Sequence, residues 1–599
     1  MTAGVSVFAV APLPPSTQCT LQSPSLPPPE PHPSHRGTTE RHLSQLFNLW
    51  ERVQVSHCGQ YSVERTLALN EYCQRVSPLR VAAVCVFTPL CPLMVVVLTE
   101  CLLLRPAAEG SAANYAFWIR HSCMLLLILL GVMMQAKAWV PGLPLSGRRL
   151  LGIAVGCSAV ATALEILVAE LWVFPIPFMV VLGAPPVVVL VMFTTRCVLG
   201  RDALHSIPDR AFYLRRYFQL LAAQASLTTI YPVYRTLFLA APSYIRQLLM
   251  VLLPVLDLAL KNVLAICGSH LEDRLPEVIV FTVDVFNALY AVLCMRSANS
   301  FAMVGVTATL NALMMALALQ GMHRRSGVAR ANSMVKERRQ GDAMETLVMA
   351  TIRLLQTPEK LDPSELRGIR LLSGAQHRLS DASATLLDAL AARAVYNNDR
   401  RASTTMSMTQ LKDRYASATM TRSILTDVSY ATARPSRLRT LLRCCCFAGK
   451  VDPVGGHQQN TRVVRQTLQL LFDSEYLGLA AYTQCVVPVI YIGYMTCLQN
   501  VPNRLYYPDN GVVEDAQLFT ERMRLIAVLA GLQLASLLVL HTFATSHFAV
   551  STLYQVAFVL ETQATLVQGK LASWLIFSVG FPLEHYGEFS GRNGVNPAV

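Results

Sequence analysis

The stretch VAAVCVFTPLCPLMVVVLTECLLL, residues 81–104, decides the fold class. It carries one charged side chain, Glu100, and is bracketed by Arg80 and Arg105. A helix of about 20 apolar residues crosses roughly 30 Å of hydrocarbon. This stretch is long enough to do so, and basic residues stand at both ends where headgroups would be. Runs of the same kind recur at 115–136, 150–169, 171–195, 217–239, 247–267, 278–295, 300–322, 477–498 and 525–545. Residues 571–583 alone would rise only about 20 Å, whereas one helix over 553–583 would reach about 46 Å. The long helix is therefore expected, with Glu561 and Lys570 inside it. The fold class that follows is all-α: a polytopic membrane helical bundle of ten or eleven transmembrane helices with a large basic cytosolic loop.

Composition points the same way. Of 599 residues, 53% are hydrophobic and 15% charged, against about 25% charged in soluble domains. The net charge of +13 is concentrated: residues 324–465 hold 24 Lys/Arg and 12 Asp/Glu. Cytosolic loops collect basic residues, and the loop between helices two and three (Lys137, Arg148, Arg149) and that after helix four (Arg196, Arg201, Arg210, Arg215, Arg216) share the bias. Eight helices before 324–465 put the N-terminus and that loop on one side, so both are expected in the cytosol. The chain then divides into a tail (1–79), an eight-helix bundle (80–323), the loop (324–465), C-terminal helices (466–583) and a short tail (584–599). The partners expected are the lipid bilayer and, at the basic loop, anionic lipid; nucleic acid is not expected.

Residues 1–37, with PSLPPPEPHPSH, cannot bury a core. Residues 40–56 place Leu43, Leu46, Phe47, Trp50 and Val53 at helical spacing, which predicts an amphipathic helix. The stretch 400–440, rich in Ser, Thr and Arg, reads as flexible. The fourth run contains Pro175, Pro177, Pro185 and Pro186 and should be broken. Broken helices build binding sites in transporters, so the segment beginning at Trp172 is one candidate, with a plain proline kink as the alternative. Gly152 and Gly156 form a GxxxG pattern that permits close helix packing.

Ionisable residues inside apolar runs carry the functional information. A charge at the bilayer centre costs about 2.5–3.5 kcal/mol, so Glu100, Glu165, Asp257, Lys261 and Asp284 should turn inward, pair or be neutral. Asp257 and Lys261 are four apart, acid before base, the favoured order for a helical ion pair. That pair is either self-neutralising structure or a gate. Asp284 has no opposite charge three or four residues away, and Asn287 lies on its face; this pair is the candidate ion- or proton-handling group. The alternative is an acid bonded to a neighbouring helix. Glu100 and Glu165 lie near helix ends, where snorkelling is cheap. In the basic loop Cys444, Cys445 and Cys446 follow Arg437, Arg439 and Arg443, a lipidation pattern; reduced thiols are the alternative. Ser326 and Ser403 follow paired arginines, as basic-directed kinase sites do.

The chain holds 16 cysteines, none at zinc or redox spacing. It contains no GxxxxGK[ST], HExxH or GxSxG pattern. No enzyme activity, cofactor or metal is expected.

Several motifs resemble a large family of oomycete multi-pass membrane proteins. They are GQYSVERTLAL (59–69), TPLCP (88–92), NYAFWIR (114–120), WVFPIPF (172–178), HLEDRLPEVIVFTVDVFNALY (270–290), YQVAFVLETQ (554–563) and FPLEHYG (581–587). The resemblance implies a polytopic membrane fold and carries over no catalytic residue. Two functions remain open: a transporter or channel-like protein for an unidentified solute, and a non-transporting scaffold or receptor acting through the basic loop. A polar cavity lined by Asp284 or Asp257 would favour the first; a sealed core with those groups bonded to one another would favour the second.

Overall fold

The computed structural model describes residues 50, 53–55, 59–140, 143, 145–205, 210–298, 300–337, 347–361, 369–374, 377–402, 456–507, 516–548, 550–580 and 583–586. The regular structure among them is helical, with no strand. The expected amphipathic helix at 40–56 (apart from Trp50 and 53–55), the stretch from 403 and the cysteines Cys444, Cys445 and Cys446 lie outside the described residues. Among the described residues, nine helices are long and apolar enough to cross a membrane. They are compatible with a membrane-embedded protein.

Ser62 caps α1 (Val63–Arg75), its hydroxyl accepting from the Arg65 N–H. The run that opened the sequence reading forms two helices, α2 (Pro78–Phe87) and α3 (Leu90–Glu100). Its break has a visible cause. Pro92 has no N–H for the Thr88 carbonyl four residues back, and the Gln568 amide donates to that carbonyl instead, at 2.8 Å. Next come α4 (Tyr115–Trp139) and α5 (Gly147–Leu171).

The fourth run is broken as expected, at 172–178, where Phe174–Pro175 is cis and Phe178 has φ 53°. Trp172 projects outward, 63% exposed. From there α6 (Met179–His205) continues through Pro185 and Pro186 and turns at Gly200, φ 76°. Gly152 and Gly156 also face outward, with no atom within 4 Å of where a Cβ would stand. The GxxxG pattern thus mediates no packing within the described chain.

The run at 217–239 becomes α7 (Arg210–Ala240), which is not among the nine apolar spans. It is followed by α8 (Ser243–Cys267). The seventh run comprises α9 (Leu275–Ile279), a π-helical segment (Val280–Asp284) and α10 (Val285–Ala298). After these come α11 (Phe301–Glu337), α12 (Leu347–Gln356), α13 (Asp381–Ala402), α14 (Gly456–Gln499) and α15 (Ala516–Phe548).

The single helix expected over 553–583 is instead two, α16 (Thr552–Thr562) and α17 (Ala564–Gly580). They part at Gln563, whose carbonyl accepts from the N–H groups of Leu566 and Val567 and so starts the second helix. The Gln563 side chain accepts from Arg274 at 3.0 Å, which fixes the corner in place.

The span made by α9, the π segment and α10 is the centre of the bundle. Its apolar window is 94% buried, against 17% for Leu182–Gly200 and 11% for Phe301–Arg325. Two crossings depend on glycine. A Cβ on Gly478 in α14 would stand 2.4 Å from the Thr552 methyl of α16. Gly131 of α4 lets that helix approach α17, since a Cβ there would stand 3.1 Å from the Ser573 hydroxyl.

Candidate functional site

The central span departs from α-helix at residues 280–284, and π turns inside helices gather at functional sites. Two lysines from other helices approach this turn. Lys570 of α17 donates to the Thr282 hydroxyl at 2.9 Å and to the Val278 carbonyl at 3.2 Å. Its ammonium also lies 5.4 Å from the centre of the Trp139 ring. The second is Lys261 of α8, and it reaches the last residue of the turn.

Lys261 Nζ is 2.7 Å from Asp257 Oδ2 on its own helix and 2.7 Å from Asp284 Oδ1 across the helix interface. The i,i+4 pair read from the sequence is therefore formed, and the acid that had no partner on its own helix finds one on the next. Asp284 is fully buried, and the Lys261 and Asp257 side chains are 12% exposed. The other oxygens, Asp257 Oδ1 and Asp284 Oδ2, are buried with no hydrogen-bond partner among the described residues. With both acids ionised the triad carries net −1. Tyr231 of α7 is buried beside it, its ring stacked 5.5 Å from Phe286.

Asn287, the fourth candidate, faces elsewhere. It lines a cavity of about 30 Å³ among five spans, together with Asn311, Gln484, Gln533 and Thr307. Neither Asp257 nor Asp284 lines it. Asn287 Oδ1 is buried without a hydrogen-bond partner among the described residues. Two prolines, Pro254 of α8 and Pro488 of α14, also border the cavity. They have no N–H for the carbonyls of Met250 and Gln484, which belong to the same lining.

A second charged cluster sits where α1 meets α9 and α14. The Arg65 guanidinium, fully buried, donates to Glu277 at 2.6 Å, to Glu475 at 2.8 Å and to the Asp273 carbonyl at 2.9 Å. The Tyr61 hydroxyl donates to Glu475 as well. Burial pushes the Arg65 guanidinium down, but Glu475 and Glu277 outweigh it and leave the group above its ordinary value, fully charged.

Residues 369–374 and 377–380 of the basic loop lie over this cluster as a strap. The carbonyls of Arg370 and Leu371 accept from the Val63 and Glu64 N–H groups at the start of α1, each at 2.9 Å. The Ser373 hydroxyl donates to Asp273 at 2.6 Å, and the Ser373 and His377 N–H groups donate to Glu64. Ser380 donates to Glu71 at 2.6 Å. Burial opposes charge on Glu71, yet the Ser380 bonds hold its carboxyl below the usual range. His377 stacks on Phe558, and burial, reinforced by Arg65 and Arg274, pushes its imidazole down to about 3.

Glu100 does not snorkel. It is 2% exposed and accepts from Arg120 at 2.7 Å and from the hydroxyls of Tyr494 and Tyr507. Glu165 likewise turns to a neighbouring helix, 2.6 Å from His121.

The sequence reading singled out Asp257, Lys261, Asp284 and Asn287, and the structure joins the first three. It passed over Lys570 as a liability in a long helix and did not single out Arg65, Glu277 or Glu475. Arg65 and Glu277 lie inside motifs quoted above, and Glu277 and Glu475 stand just before apolar runs, where a charge looks solvated. No family model, curated protein or solved structure matches the chain.

Proposed function

We propose that the chain is a multi-pass membrane protein that moves a small polar solute through the cavity of Asn287, with the Asp257–Lys261–Asp284 triad as its gate. The cavity carries the reading: four amide side chains and a hydroxyl converge at a depth where each polar group costs free energy unless it has work to do. Its volume admits a water-sized species. The triad lies one helical turn away on two of the same spans, since Asp257 follows Pro254 by three residues and Asp284 precedes Asn287 by three. Opening α8 against the π segment would break the Lys261–Asp284 bond and leave Lys261–Asp257 intact. In this reading the N-terminus and basic loop are cytosolic and the loop meets anionic lipid. The resemblance to the oomycete membrane family supports the topology.

A second reading, a non-transporting scaffold or receptor, draws on a different observation. The two acids close on Lys261 rather than facing the cavity, and the basic loop is strapped to the core through Ser373 and Ser380. Flux decides between the two. Purified chain in proteoliposomes should pass ammonium, alkali cations or small amides faster than empty vesicles, and Lys261→Met should change the rate. Vesicles as tight as empty ones towards every probe would leave the scaffold.

A further inference from the structure

We infer that the Asn287 cavity is a binding site for a dehydrated monovalent cation, an inference that names the solute class of the site proposed above. The argument begins with the ligand atoms. The cavity is lined by Asn287, Asn311, Gln484, Gln533 and Thr307, and the buried Asn287 Oδ1 in its wall has no hydrogen-bond partner among the described residues. The Thr307 hydroxyl hydrogen is committed to the Met303 carbonyl of its own helix, which leaves its lone pairs to the cavity. All of these are neutral. Divalent cations take carboxylates into their first shell, and no carboxylate lines this space.

The backbone adds to the set. Wherever proline interrupts a helix it frees the carbonyl four residues earlier. At Pro92 the chain answers with a donor, Gln568, which bonds the Thr88 carbonyl. At Pro254 and Pro488 no side chain among the described residues donates to Met250 or Gln484, and both residues border the cavity. Carbonyls freed from broken helices, acting in place of hydration water, are the ligands from which alkali cation sites in membranes are built.

Charge sets the sign. No cationic group lines the cavity, and the nearest lysine identified, Lys261, is held by two carboxylates at 2.7 Å. With both acids ionised that triad carries net −1, and it acts through a medium of low dielectric, where a unit charge is felt far more strongly than in water. It attracts a cation and repels an anion. About 30 Å³ has room for a bare ion.

The test is thermal unfolding of the full chain in lipid nanodiscs, with N-methyl-glucamine chloride as the baseline salt. Lithium, sodium, potassium, ammonium and magnesium chlorides are then substituted at equal ionic strength. A ligand that binds only the folded chain raises the midpoint saturably. The expected result is such a rise with at least one monovalent cation and none with magnesium. Asn287→Ala should abolish it, while Leu248→Ala on the outward face of α8, 67% exposed, should keep it. If Asn287→Ala does not fold, Asn311→Ala on the facing span replaces it. Equal midpoints in every salt, or a rise that survives both substitutions, overturns the site. A cation-dependent rise without flux keeps this inference and removes transport; flux of a neutral amide with no cation-dependent rise does the reverse.

Discussion

Two charged clusters share the centre of the molecule, and they differ in how the cation is shared. Around Arg65 the guanidinium finds two carboxylates, a backbone carbonyl and the Tyr61 ring, 5.2 Å away, while Arg65 Nε and Glu277 Oε2 are buried without a hydrogen-bond partner among the described residues. Around Lys261 one ammonium serves two acids, and one oxygen of each acid lacks a hydrogen-bond partner among the described residues. Unpaired buried groups cost stability in both. The first cluster is a staple between α1, α9 and α14, made through one planar group with several donors. The second joins α8 to the π segment through a single ammonium that two acids compete for.

That contrast can be broken from either side. Arg65→Met should have the largest effect, since it leaves Glu277 and Glu475 facing each other in a closed space. Removing one side of a buried pair costs about 3–5 kcal/mol, so little folded protein should survive detergent extraction, as read by size-exclusion profile and unfolding midpoint. Lys261→Met should cost less than that, because it removes two contacts where Arg65→Met removes three; a loss equal to Arg65→Met would show the two clusters to be alike. Gly478→Ala follows, at about 1–3 kcal/mol for overpacking, and Thr552→Ser should restore it by removing the methyl in the way. Asp284→Asn should be the mildest, because Asp257 keeps Lys261 paired: the unfolding midpoint should barely move while any proton-linked flux is lost.

The strap gives a pH test of the staple. His377 is neutral when folded, with its imidazole pushed down to about 3 from an ordinary 6.5. The unfolded chain therefore binds the extra proton between those values, so stability rises with pH across that window. The protein should be at full strength above about pH 6.5 and weaken as the pH falls towards 3. His377→Gln should flatten that slope in a pH series of unfolding midpoints.

The spans were legible because lipid-crossing helices need long apolar runs, and residues 81–104 or 247–267 have no other reading. The Asp257–Lys261 bond was legible because both ends lie on one helix. Its third member was not: which helix faces Asp284 depends on how the spans pack, and the run containing Lys261 gives no sign of its neighbour. Arg65, Glu277 and Glu475 were missed for the opposite reason. Glu277 and Glu475 stand at the edge of apolar runs and Arg65 in the polar stretch before the first, where solvent is the default partner, and only the folded strap over 369–374 and 377–380 shows that solvent is shut out. The C-terminal break at Gln563 was hidden because its cause, Arg274, lies almost three hundred residues earlier in the chain.

A π turn houses one residue more than the α-helix would. That extra residue sets the angular phase of everything after it, about 100° per residue in a helix of 3.6 residues per turn. Were the bulge at 280–284 to travel along the span, each side chain it passed would swing by that angle while the ends of the helix stayed put. Asp284 would then part from Lys261, and Lys570 would lose the Thr282 hydroxyl. The rearrangement asks for a twist inside one rod, with no tilting of the bundle around it.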